Sequence, residues 1–348
     1  MHDVTNQGRL RANIASGHQT ADDYLELASA LFEAARFEES VAILRQGIEG
    51  PFTGVARARL LTSLGWYVNA VTQDRNEPRS LAREAAALTD GIDTGDALIA
   101  NAKSKTLLAE CSWVDDRVRA EDAATSAIGL FERIQISGCL LEKIERYEVL
   151  LESARLHRLL GHFEQSIALC QQAIEIASNR NDQLSAQIEL GTTYRNAGRL
   201  SEARQAFRTA VASASPPFGL VRAYFELGLV ENDLGRTGEG RAKVRKAIEI
   251  LESDARLPRA DLPEFLRVYG YMSYDLGDLE SAAGALKAAA DSYPLTDPFH
   301  WSSLLWLARC QFDLGEHELA RANAKLVSHS PVATDEDRAD ADHLLASM

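Results

Sequence analysis

The stretch Gly191-Thr192-Thr193-Tyr194-Arg195-Asn196-Ala197-Gly198-Arg199-Leu200-Ser201-Glu202-Ala203-Arg204-Gln205-Ala206-Phe207-Arg208-Thr209-Ala210 decides the fold. Before Gly198, Gly191 and Tyr194 fall on one helical stripe. After it, Leu200, Ala203, Phe207 and Ala210 recur at helical spacing. Small and large residues therefore alternate along two facing stripes. That pattern suits two antiparallel helices in close contact, with a small residue where the backbones nearly touch and an aromatic in the next gap. Gly198 can take the left-handed geometry that ends a helix.

The same grammar recurs outward from this stretch. Turn glycines stand at Gly161, Gly198, Gly235, Gly277 and Gly315, with spacings of 37, 37, 42 and 38 residues. Three of them sit in an identical Asp-Leu-Gly string, at Asp233, Asp275 and Asp313. A further copy opens with Tyr24, Leu27, Ala28 and Leu31 and continues with Phe37, Ser40, Leu44 and Gly47. Between residues 50 and 140 the pattern blurs without stopping: Leu64-Gly65-Trp66-Tyr67 resembles another first helix, and Ala82 to Leu88 another second. Such periodicity marks a repeat array, here about eight helix pairs. Prolines fall at links between pairs, as at Pro51, Pro216-Pro217 and Pro331, where they interrupt no helix. No sustained alternation marks a strand. The expected organisation is a polar segment over 1–19, an all-α solenoid of helix pairs over 20–330, and a C-terminal helix over 331–348. Thr334 can cap that last helix above an acidic first turn, so it either covers the final repeat or frays as an acidic tail.

Composition bounds the function. The 348 residues carry 37 Lys+Arg against 51 Asp+Glu, a formal net charge of -14. This acidic balance argues against direct nucleic-acid binding and against docking on anionic lipid. No apolar run is long enough to span a bilayer. The polar start, Met1 to Gln7, lacks the apolar core of a leader. Cys111, Cys139, Cys170 and Cys310 are widely separated, as reduced thiols of a cytoplasmic protein would be.

The Gly191/Tyr194/Gly198/Ala203/Phe207/Ala210 set and its copies resemble the tetratricopeptide repeat family. The longer period is similar to that of bacterial regulator sensor domains and motor light chains. The resemblance implies a right-handed superhelical scaffold whose concave side, lined by the first helix of each pair, cradles a peptide or partner. Regulator-type members carry a DNA-binding domain beside the repeats. No such domain is expected beside these repeats, so any regulation is expected to act through a separate effector. The family's groove positions, carried over by register, fall on Arg155, Arg158, Arg195, Asn196, Arg222, Asn232, Arg267, Tyr271, Tyr274 and Arg309. Arginine along a concave wall suits an acidic or carboxylate-bearing segment. The tyrosines, with Phe225 and Phe312, would add rigid apolar contact. The bland alternative is that the arginines pair with Asp233, Asp275 and Asp313 between repeats.

No catalytic reading competes. Gly235-Arg236-Thr237-Gly238-Glu239-Gly240 lacks the lysine and the preceding strand of a phosphate loop. His157 and His162 lie five apart across a turn, which is no metal motif, and His157 is expected to fill the helix seam. Neither metal nor cofactor is expected. Trp301, Trp306, Phe299 and Phe312 read as one aromatic cluster, as core packing or as a pocket. Two functions remain: an interaction scaffold, or a sensor of a small ligand or peptide signal. Homodimerisation stays open.

Overall fold

The computed structural model describes residues 2–17, 19–72, 75–113, 116–136, 143–213 and 217–348. Cys139 lies outside them. Every regular element among them is helical. Helix α1 (His2–Ala15) comes first, and eight antiparallel pairs follow. They are α2 (Ala21–Glu33) with α3 (Phe37–Glu49), α4 (Gly54–Val71) with α5 (Asn76–Thr89), α6 (Gly95–Ser112) with α7 (Arg117–Ile136), and α8 (Lys143–Leu159) with α9 (Phe163–Ile176). Then come α10 (Arg180–Asn196) with α11 (Leu200–Ser213), α12 (Pro217–Asp233) with α13 (Thr237–Ser253), α14 (Leu262–Asp275) with α15 (Leu279–Ser292), and α16 (Pro298–Asp313) with α17 (His317–Ser328). Helix α18 (Asp335–Ser347) ends the chain.

Contacts group these helices into two compact units. One is Met1–Gly219 with Ala255–Pro258; the other is Leu220–Asp254 with Arg259–Met348. In the first, each pair packs on the next, and the first helices α2, α4, α6, α8 and α10 also touch in series. In the second, α14, α16 and α18 form the corresponding series. The chain is thus a solenoid of repeated helix pairs.

The alternation of small and large residues explains the tight pairing. A methyl group on Gly191 would lie 2.8 Å from the Phe207 ring, and one on Gly270 would lie 2.6 Å from Leu286. Only glycine lets these backbones approach so closely. Ala203, Phe207 and Ala210 are all fully buried on the facing stripe. The turn glycine Gly198 has φ +73°, and the Gly198 and Arg199 amides donate to the Arg195 and Tyr194 carbonyls at 3.0 and 2.8 Å. These bonds close the helix end.

The polar N-terminal segment forms α1, and Leu10 is buried against Leu27 and Leu31 of α2. At the other end, Thr334 Oγ1 accepts from the Asp337 amide at 3.0 Å. Ala341 of α18 is buried with Leu305, Val327 and Ala333, so this helix packs on the last pair. Among the described residues, no helix is long and apolar enough to cross a membrane.

Candidate partner-binding face

In the first unit, the first helices carry a continuous charged network. Glu148, Glu152 and Arg155 share a face of α8 because they lie four and three residues apart. Arg155 Nε reaches Glu110 of α6 at 3.1 Å and Glu189 of α10 at 3.6 Å, while its Nη1 reaches Glu152 at 3.2 Å. Its guanidinium lies 5.4 Å from the centre of the Trp66 ring on α4. Arg158 also pairs with Glu189, and Lys103 of α6 pairs with Glu148. Burial opposes the charge on Arg155, but Glu152, Glu110 and Glu189 outweigh it and hold the guanidinium above its ordinary pKa. Burial pushes the Glu152 carboxyl up, and Arg155 counteracts only part of that. Arg155 and Arg158 are therefore held by carboxylates from three successive first helices. Those carboxylates are glutamates within helices, not the turn aspartates that the sequence suggested. Arg195 is half-buried and engaged within the protein, and Asn196 is exposed at the end of α10.

The second unit differs in chemistry. Arg222 Nε on α12 pairs with Glu226 at 3.0 Å, yet 54% of its side chain remains exposed. Burial works against its charge, and Glu226, Asp261 and Glu264 outweigh it.

Arg267 on α14 is held by rings. Its guanidinium lies 4.5 Å from the Phe299 centroid and 5.3 Å from that of Tyr271, and its Nη1 donates to Tyr271 Oη at 3.3 Å. Its Nε is buried without a hydrogen-bond partner. Tyr271 Oη and Ser302 Oγ lie 2.9 Å apart. Tyr271 and Tyr274 flank Trp306 of α16 with centroids 5.0 and 5.3 Å away. Tyr274 donates to Asp313 at 2.7 Å; burial first, then this bond, pushes its hydroxyl up to about 12. Arg309 stacks 4.6 Å over Trp306 and pairs with Asp340 of α18 at 2.5 Å. The structure thus gathers Tyr271, Tyr274 and Arg309 around Trp306, with Arg267 on the Tyr271 and Phe299 rings.

Other expected members do not join this face. A methyl group on Gly240 would lie 3.1 Å from the Asn232 amide nitrogen, so Asn232 belongs to the seam between α12 and α13. Phe225 is buried and stacks on Phe265 with centroids 4.0 Å apart. The expected four-ring cluster disperses. Trp301 packs with Leu305 and Val327, Phe312 meets His317, Phe299 lies by Arg267, and only Trp306 joins the tyrosines. Glu110, Glu189 and Asp340 were not anticipated. Their residue type gives no signal, because their role depends on the offset between neighbouring helices. Among the described residues, no three His, Cys, Asp or Glu side chains gather as a metal site.

An array of helix pairs whose first helices touch in series within each unit is the architecture of an interaction solenoid. Comparison with known proteins gives the family. Tetratricopeptide-repeat profiles match residues 145–215 in one case, and 188–255 and 273–327 in another. Residues 145–255 and 273–327 are thus tetratricopeptide repeats. Comparison with curated proteins finds none that matches the sequence. Among solved structures, a Rap protein complexed with Competence and Sporulation Factor overlays with a TM-score of 0.60 at 13% identity. The overlay covers 94% of this chain and 96% of that one. A STAND signal-transduction ATPase with a tetratricopeptide repeat sensor, from Pyrococcus horikoshii, gives a TM-score of 0.54 at 14% identity. It covers 98% of this chain and 55% of that one. At these identities the likeness is one of fold.

Proposed function

We propose that this chain is a non-catalytic binding protein that takes an acidic segment of a partner on the first-helix face of its second unit. Tetratricopeptide solenoids are protein-interaction scaffolds, and that general role comes with the fold. The finer reading rests on Arg267. It makes no ion pair with a described carboxylate, and rings flank its guanidinium, with Glu264 near enough to feel its charge. A planar cation so fixed has lost little freedom left to lose, and it can take a carboxylate edge-on. Arg222 lies beyond it with half its side chain in water, and Tyr271, Tyr274 and Trp306 supply amphipathic contact. Arg155 and Arg158 of the first unit support this assignment by contrast, since glutamates already occupy them.

The test is a peptide array graded from acidic through neutral to basic composition, probed with the labelled intact chain. Acidic peptides should be retained best. Arg267→Ala should weaken them by roughly tenfold to a hundredfold, the worth of about 1.5–3 kcal/mol for a charge-assisted bond. Equal retention of basic peptides, or no effect of the variant, would sink the reading.

A second reading, a sensor of a peptide signal acting on a separate effector, draws support from the end-to-end overlay on a protein bound to a factor. A thermal shift with a short free peptide or small molecule would favour it; a shift with a folded protein partner alone would favour the scaffold.

A further inference from the structure

The turn between α8 and α9 brings together two side chains that the partner-binding face does not use. His157 Nδ1 and His162 Nδ1 lie 3.3 Å apart, and their ring centroids 5.5 Å. The turn that presents them is fixed. Gly161 has φ +78°, the His162 amide donates to the His157 carbonyl at 2.8 Å, and the Gly161 amide donates to Arg158 at 3.0 Å. His157 is half-buried and His162 exposed, so both rings can be reached from solvent. Elsewhere in the chain, the Nδ1 atoms of His300 and His329 lie 2.8 Å from the backbone carbonyls of Ala290 and Lys325. The pair at the turn is different: each Nδ1 faces another ring nitrogen.

We propose that His157 and His162 form a two-histidine site for a tetrahedral transition-metal dication of the zinc type. The argument is metrical. Zinc–nitrogen bonds of about 2.0–2.1 Å at the tetrahedral angle place two ligand nitrogens about 3.3–3.4 Å apart. Square-planar coordination at similar bond lengths would need about 2.9 Å. The observed separation fits the tetrahedral ion. A small χ2 rotation of each ring turns both Nδ1 lone pairs to one point beside the line that joins them. In the empty pair one Nδ1 carries the proton of the hydrogen bond. On metal binding that proton moves to Nε2 of the same ring, so both ligands are neutral imidazoles and no net charge is lost. No third His, Cys, Asp or Glu joins them in a ready cluster among the described residues, so water completes the shell.

Titration of the intact chain with Co²⁺ at neutral pH, read by visible absorption, tests the site. The expected result is a saturable tetrahedral band at one equivalent, bleached by Zn²⁺. His157→Gln and His162→Gln should each weaken binding at least about tenfold, the least that loss of even an outer-shell partner costs. His329→Gln should leave it unchanged. His162 is exposed, so its variant keeps the test valid if His157→Gln disturbs the seam. No saturable band, a weak octahedral band only, or affinity indifferent to both substitutions would overturn the proposal and leave the pair as an internal hydrogen bond.

Discussion

Ala35 is the residue where the repeat breaks its own rule. It has φ +57°, while the turn residues Gly161, Gly198, Gly235, Gly277 and Gly315 have φ between +73° and +82°. Its hydrogen bonds are the same: the Ala35 amide donates to Phe32 and the Arg36 amide to Leu31, at 3.0 and 2.9 Å. The left-handed conformation costs an L-residue about 1–2 kcal/mol. Glycine relieves that cost but loses about 0.4–1 kcal/mol through the greater freedom of its unfolded chain. Ala35→Gly should therefore stabilise the protein by about 0.5–1 kcal/mol, and Gly198→Ala should destabilise it by a similar amount. The measurement is the urea midpoint at unchanged slope; a lower midpoint for Ala35→Gly would contradict the strain argument. The glycine turns were legible in the sequence because glycine alone takes positive φ cheaply. The same turn at Ala35 was not, because alanine announces nothing.

Helices differ in how plainly they show themselves. The second helix of each pair buries one stripe, as α11 does with Ala203, Ala206, Phe207 and Ala210, and such a stripe reads directly from the sequence. Helix α6 buries Ala97, Leu98, Ala100, Asn101, Ala102, Ser104, Thr106, Leu107, Ala109 and Cys111. It is enclosed on nearly every side, so no period survives, and this is why the pattern blurs between residues 50 and 140. Helix α1 fails for the opposite reason: its sequence is too polar to show a stripe, and its attachment is largely polar too. Asn13 Nδ2 donates to Asp23 Oδ1 at 3.0 Å, and Thr20 and Asp23 close a capping box at the start of α2. The Asn13 bond, then the Thr20 amide, pulls the Asp23 carboxyl below its ordinary pKa, against the effect of burial. A carboxyl lowered on folding contributes stability that is complete above its unfolded pKa, near 4, and is lost as pH falls through the folded value. Asn13→Ala should flatten this acid-side loss between pH 5 and pH 3, as approximate bounds. Asp23→Ala should cost about 1 kcal/mol at neutral pH and release protection in α1 first. Thermal melts across pH check both; an acid profile unchanged in Asn13→Ala would refute the linkage.

Across the whole molecule, 51 acidic against 37 basic residues would repel if scattered, yet the first-helix face of the first unit draws them into an ordered network. Register carried over from the family put Arg155 and Arg158 on that face, but nothing in the sequence showed that Glu110 and Glu189, from the repeats on either side, would meet them. Face depends on helical period within one element. Pairing depends on how far one helix slides along the next, which local sequence does not encode. The consequence is that Arg155 joins α6, α8 and α10, while Glu152 is only one of its three acidic neighbours. Arg155→Met should cost about 3 kcal/mol, since it strands Glu110 and Glu152 in a partly buried place and leaves Glu189 to Arg158. Glu152→Gln should cost far less, because Arg155 keeps two partners and a carboxyl that burial disfavours is gone. In an array where each repeat leans chiefly on its neighbours, the damage from Arg155→Met should stay local. Hydrogen exchange should quicken in α6, α8 and α10 and remain near its original rate in α14 to α17. Equal loss of protection in both units would show that the chain opens as one cooperative block, and the description of the network as a local inter-repeat brace would fall.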